Sequence, residues 1–154
     1  MSLDMQQTGY SLRTEQMKIM VSACLIGEKC KYNGKDNYSE KLIEYIKGHE
    51  VIAVCPEVTG GLTVPRRPCE IVNGMVINKD GESKDAEFRK GAKICLKRAL
   101  DEKIDLAILQ SRSPSCAVKQ IYDGRFSGKL IDGQGIFAQM LSENGIKVMD
   151  VEDI

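Results

Sequence analysis

Lys18-Ile19-Met20-Val21-Ser22-Ala23-Cys24 decides the architecture of this chain. Its apolar residues follow one another without polar alternation. That is the pattern of a strand covered on both faces, and it stops at a polar loop from Cys24 to Gly27. The pattern returns at Val51-Ile52-Ala53-Val54, halted by Cys55-Pro56, and again at Asp105-Leu106-Ala107-Ile108-Leu109-Gln110. Helical signals fill the intervals. Ser39 reads as an N-cap before Leu42, Ile43 and Ile46, with Gly48 as the stop. Residues 83–103 predict a long helix with Phe88, Ala92, Cys95, Leu96 and Ala99 on one stripe. Residues 135–143 predict a last helix and residues 147–151 a last strand. Ile71-Val72-Asn73-Gly74-Met75-Val76-Ile77 predicts a hairpin, because Asn-Gly suits a type I′ turn. Residues 60–68 and the glycine-rich 122–128 read as loops. Buried strands alternating with helices imply an α/β fold: three-layer, Rossmann-like, a mostly parallel sheet with helices on both faces.

The 154 residues are the size of one ordinary domain. Residues 1–16 are polar and aperiodic, and we expect a flexible N-terminal extension there, followed by a single α/β domain over 17–154. An apolar fraction of 42% and a charged fraction of 29% are those of a globular chain. Twenty-two basic against twenty-two acidic residues leave no net charge, which argues against a general binder of long nucleic acid. No apolar run is long enough to span a membrane, and no signal-peptide core opens the sequence, so a cytoplasmic protein is expected. In a reducing compartment the six cysteines are expected to be packed, nucleophilic or metal-ligating rather than paired. His49 is the sole histidine, so any metal must be held mainly by thiolate or carboxylate.

Ligands of open parallel sheets gather beyond the carboxyl ends of the strands. Cys24 follows the first strand, Cys55 the second, and Cys116 lies in the loop after the third. If those strands are parallel neighbours, the three thiols share one rim. A single strand-end cysteine is more often packing; three on one rim make a constellation. Cys95 sits on the inward stripe of the long helix and reads as core, while Cys30 and Cys69 lie in loops. Three thiolates suit an iron–sulfur cluster, whose fourth iron stays open to substrate. A zinc site would have to recruit Cys30 or Cys69, and a metal-free thiol nucleophile is a third reading. Glu57, two residues after Cys55, is either an acid/base carboxylate or a solvated loop residue. Ser111, Ser113 and Ser115 alternate before Cys116, placed to hydrogen-bond a substrate or to satisfy the loop backbone. Arg66 and Arg67 offer a guanidinium to an anion or a planar polar ring, or else form surface ion pairs.

Several motifs occur in order: Ser22-Ala23-Cys24-Leu25-Ile26-Gly27, Cys30-Lys31-Tyr32-Asn33-Gly34, Cys55-Pro56-Glu57, Gly60-Gly61-Leu62, Pro65-Arg66 and Ser111-Arg112-Ser113-Pro114-Ser115-Cys116. As a set they resemble the bacterial thiouracil desulfurase family, from about Met17 to the C-terminus. The resemblance implies a [4Fe-4S] cluster on Cys24, Cys55 and Cys116, its open iron taking the sulfur of a small thiolated nucleobase. It implies Glu57 as the acid/base residue and Ser113 as the serine that aids substrate protonation or positioning. The implied reaction converts 2-thiouracil to uracil without net redox change at carbon. An exposed cluster of this kind is expected to be lost from protein purified in air. Two positions depart from the family's usual pattern. Ala117 stands where glycine is more common, and Cys69 adds a thiol able to compete as a ligand.

Overall fold

The computed structural model describes residues 16–154. The extension expected over 1–16 therefore lies, but for its last residue, outside the described residues. Four strands form the central sheet: β1 (Lys18–Ser22), β2 (Glu50–Val54), β5 (Leu106–Leu109) and β8 (Val148–Asp150). Their order is β2-β1-β5-β8 and every pairing is parallel. β1 lies inside the sheet with Ile19 opposite both Val51 and Leu106, which explains its unbroken apolar run.

Successive side chains of each strand enter different cores. Met20, Ile52, Val54, Ala107 and Leu109 face the two helices α3 (Asp85–Glu102) and α4 (Ile136–Glu143), meeting Phe88, Ala92, Cys95, Phe137 and Leu141. Ile19, Val21, Leu106 and Ile108 face the other way, onto Leu25 and onto Leu42 of α1 (Glu40–Ile46). This is the three-layer arrangement the sequence implies. α1 starts where expected, with Ser39 Oγ accepting from the Leu42 N–H at 3.2 Å. β3 (Cys69–Val72) and β4 (Met75–Asn78) form the expected hairpin, and φ of 50° at Asn73 and 79° at Gly74 gives the turn its left-handed pair.

Two elements were not expected from the sequence. α2 (Pro56–Thr59) is a single turn beginning with proline, too short to show periodicity. β6 (Gln120–Tyr122) and β7 (Leu130–Asp132) pair as a small antiparallel ribbon around the glycine-rich loop. All their side chains are half-buried or exposed, so no apolar run marks them. Glu70 fastens that loop to β3 by accepting from the N–H groups of Gly124 and Phe126, at 3.0 and 3.1 Å. No helix among the described residues is long and apolar enough to cross a membrane.

Candidate active site

The three central strands β2, β1 and β5 end on one rim, and a cavity of about 580 Å³ opens there. Its lining includes Cys24, Cys55 and Cys116 together with Glu57, Ser113 and Arg66. Each cysteine arrives by a different local device. Cys24 sits in a 3-10 turn (Ala23–Ile26) that leaves β1 directly, closed by Gly27 at φ 103°. Its thiol accepts from Asn37 Nδ2 at 3.4 Å. Cys55 is the N-cap residue of α2, between the end of β2 and Pro56. Cys116 is carried by the loop after β5. There Ser113 Oγ accepts from the N–H groups of Ser115 and Cys116, at 3.1 and 3.0 Å. The start of α4 anchors the same loop: Ile136 N–H bonds the Pro114 carbonyl at 2.8 Å, and Phe137 N–H bonds the Ser115 carbonyl at 2.9 Å. A Cβ on Gly135 would stand 2.5 Å from that Ser115 carbonyl, so glycine lets loop and helix meet.

All six cysteines are unpaired. Cys30 is buried beside Cys24 and Cys55, close enough for its thiol proton to favour their thiolate forms. That contact lowers the Cys24 thiol, with Asn37 helping and burial opposing. It also brings Cys55 down to about 7 against burial, with the Val58 N–H adding to the effect. Cys30 itself is pushed up as the proton-bearing member. Burial raises Cys116, partly offset by hydrogen bonds to Ser22 and Ser115. Cys69 also lines the cavity, raised to about 11 by burial and by the nearby Glu57. Cys95 is core, 2% exposed on α3 as its place on the stripe predicts. Ala117 is fully buried at a non-positive φ, so it needs no glycine.

Glu57 is no solvated loop residue. Its side chain is 13% exposed and its Oε1 accepts from Arg66 Nε and Nη2, at 3.1 and 2.8 Å. Arg66, 8% exposed, also bonds the carbonyls of Thr63 and Cys30. Four of the five N–H groups of a guanidinium are thereby engaged with protein, chiefly to fix Glu57. Arg67 is a surface partner of Asp80. The serines divide by environment. Ser111 is buried and gives its proton to Asp150 at 2.6 Å, tying β5 to β8. Ser113 is half-buried at the cavity wall, and Ser115, 2% exposed, donates to Glu57 Oε2 at 2.7 Å. Ser22 was not singled out from sequence. It is buried at the end of β1, accepts from the Gln110 N–H at 3.0 Å and touches Cys116. A polar residue closing an otherwise apolar strand was its one signal.

Among the described residues, no three His, Cys, Asp or Glu side chains are grouped tightly enough to hold a single metal ion. Cys24, Cys55 and Cys116 nonetheless line one cavity, three soft sulfur donors at a common site. Two of these thiols are already drawn toward thiolate, the form that ligates iron. The donor set and the cavity therefore fit an iron–sulfur cluster.

Comparison with known proteins bears out the resemblance drawn from the motifs. The family model for 2-thiouracil desulfurase matches residues 19–153. A Bacillus subtilis (strain 168) relative, the uncharacterized protein YbbK, is 34% identical over 146 residues, covering 88% of this chain and 97% of its own. Among solved structures, the [4Fe-4S]-dependent thiouracil desulfidase TudS superposes with a TM-score of 0.85 at 37% identity. That match covers 90% of this chain and 93% of the other.

Proposed function

This chain belongs to the 2-thiouracil desulfurase family, and on that premise we propose that it is a cytoplasmic, [4Fe-4S]-dependent enzyme that removes sulfur from a thiolated pyrimidine such as 2-thiouracil, giving uracil. Cys24, Cys55 and Cys116 would hold the cluster. The observation that carries this reading is the convergence of these thiols, from three separate strand ends, on one cavity that also contains Glu57. When bound, such a cluster supplies a soft Lewis-acidic iron that polarises a thiocarbonyl.

The protein's own groups supply the rest. Arg66 occupies both lone pairs of Glu57 Oε1, so the carboxylate works through Oε2. Ser115 donates to that oxygen at 2.7 Å and Ser113 lies 3.3 Å from it, so a water held between Glu57 and the cavity would meet this oxygen. Glu57 is thus placed as the base that takes a water proton. Ser113, at the cavity wall, has both its lone pairs committed to backbone N–H groups, so it meets a substrate as a donor. Replacing C=S by C=O consumes water and releases hydrogen sulfide without electron transfer. Ser111 keeps its proton on Asp150 and supports the loop, and Arg66 has one N–H left for a substrate oxygen.

Anaerobic reconstitution followed by a thiouracil-to-uracil assay tests the proposal. About four irons and four sulfides per chain, with broad visible absorption and uracil release, support it. A colourless protein holding one zinc, or a loaded cluster that leaves thiouracil unchanged, refutes it.

A further inference from the structure

We propose that Phe126 is a ring platform, whose aromatic face receives the pyrimidine and makes the site select flat, conjugated rings; this rests on the desulfurase reading above. The chain has three phenylalanines. Phe88 and Phe137 are 1% and 0% exposed and fill the core between the sheet and its helices. Among the described residues, Phe126 packs into neither core. It stands half-buried between exposed Arg125 and Ser127, in the loop joining β6 to β7, and it lines the strand-end cavity. Its backbone takes φ 54°, a left-handed conformation that a bulky residue seldom adopts. Two devices hold it there. Glu70, 9% exposed on β3, accepts from the N–H groups of Phe126 and Gly124, at 3.1 and 3.0 Å. Gly124 lets the loop lie against β3, where a Cβ would stand 2.7 Å from the Ile71 carbonyl oxygen. A buried carboxylate and a strained backbone thus keep an apolar ring at the cavity wall, a cost that core packing does not explain.

A thiolated pyrimidine presents two kinds of surface. Its edge carries N–H, C=O and C=S groups, which the polar residues of the cavity can meet. Its two faces carry no hydrogen-bonding group, and they are buried best against a flat apolar side chain. Of the aromatic residues that line the cavity, Tyr32 is 42% exposed, and Tyr122 is fixed in the ribbon opposite Leu130. Phe126 is the one that brings no hydroxyl in need of a partner, so all of its ring can serve as a contact surface. Offset stacking on such a surface requires a flat, conjugated ring. Saturating the carbon–carbon double bond of the pyrimidine puckers the ring and removes that face, while the thiocarbonyl and both N–H groups remain. The platform therefore separates 2-thiouracil from 5,6-dihydro-2-thiouracil through the ring and not through the sulfur.

The test compares Phe126→Leu and Phe126→Gly with wild-type enzyme after anaerobic reconstitution. It reads KM for 2-thiouracil and the inhibition constant of 5,6-dihydro-2-thiouracil against it. A stacked face is the same before and during reaction, so the loss is expected in KM more than in kcat. For 2-thiouracil, KM should rise about 5- to 10-fold in Phe126→Leu, which keeps an apolar contact, and further in Phe126→Gly. The inhibition constant of the dihydro analogue should move less than about twofold. An unchanged KM in both variants, or an equal rise for the two compounds, overturns the platform. Phe126→Gly should also keep or raise Tm, because glycine takes φ 54° without strain. A clearly lowered Tm makes Phe126 a packing residue and overturns the proposal as well. A readout without turnover uses cluster-free protein, deuterated except at phenylalanine, mixed with uracil. Saturating the phenylalanine protons in the nuclear magnetic resonance spectrum should transfer to the two ring C–H protons of uracil. The transfer should vanish in Phe126→Leu, and its absence from wild type overturns the proposal. Loaded wild-type enzyme that releases no uracil instead refutes the desulfurase reading, while the saturation transfer still reports on the ring contact.

Discussion

Gly91→Ala sets a local preference against a tertiary contact, and the two predict opposite signs. Gly91 lies inside α3, where alanine is favoured over glycine by about 1 kcal/mol. Helix propensity alone therefore predicts a more stable variant. The structure predicts the reverse. A Cβ at Gly91 would sit 1.7 Å from the Pro56 carbonyl oxygen and 2.8 Å from the Gly60 nitrogen. The approach is reciprocal, since a Cβ at Gly60 would sit 1.9 Å from the Glu87 carbonyl oxygen. These are backbone atoms with no rotamer to change, so α2 must retreat from α3 by more than about 1 Å to reach ordinary contact. Overpacking of this kind costs about 1–3 kcal/mol or more, which outweighs the propensity gain. With a net loss of about 1–2 kcal/mol, Tm should fall by roughly 2–8 °C for a chain of this size. α2 also carries Cys55 at its N-cap and Glu57 in its only turn, so the displacement reaches the site. A misplacement near 1 Å is worth about 10²-fold in rate. Differential scanning calorimetry, iron content and turnover would be measured beside Ile94→Ala, at an exposed position of the same helix. A raised Tm with full iron and full turnover refutes the reasoning.

Glu57→Gln should keep its iron and lose about 10²–10⁴-fold in turnover; loss of iron would make Glu57 a structural residue instead. Arg66→Met leaves the Glu57 carboxylate without its partner at 13% exposure, and should cost about 3 kcal/mol in chemical denaturation. Adding Glu57→Gln should recover much of that, and a double variant no more stable than Arg66→Met would show that the pair is not coupled. Cys95→Ala should leave iron content unchanged while lowering stability on the order of 1 kcal/mol; iron analysis of the reconstituted variant checks it. Burial raises the Asp85 carboxyl, but Arg89 and the Val76 N–H outweigh it and hold it below its ordinary value of 3.8. Its contribution is therefore present above the unfolded pKa and lost as pH falls through the lower folded one. Unfolding curves for wild type and Asp85→Asn should converge on the acid side of that window, and a constant difference down to the lowest pH would contradict it.

How much of this molecule is legible from sequence follows from the range of the interactions involved. β1, β2, β5 and α3 are set by neighbours within a few residues, through apolar runs and a helical stripe, and they stand where those patterns put them. The rim on which Cys24, Cys55 and Cys116 meet needed one further physical rule, that ligands gather at the carboxyl ends of parallel strands. α2 carried only cap signals, Pro56 at its start and Gly60 at its end, with no room for a period. The β6–β7 ribbon carried none, because its contacts to β3 run through backbone and Glu70.

The polar half of the site was less legible because its partners are far apart in sequence. Ser115 reaches Glu57 across 58 positions, and Gln110 reaches Ser22 across 88. Spacing identifies such groups as capable of the chemistry without saying which one meets which. Local rules also yield here. Arg112, in the middle of the serine loop, adopts φ 62°, a region glycine favours, and is held by an ion pair to Glu152 at 3.1 Å. Glu57 and Arg66 are nearly buried, although a hydrophobic pair of similar volume would often be as stable or more so. These costs collect where the loops after β1, β2 and β5 surround one cavity. The α3 and α4 cores supply the stability that offsets them, as expected where a constellation must be held in one geometry rather than packed for stability alone.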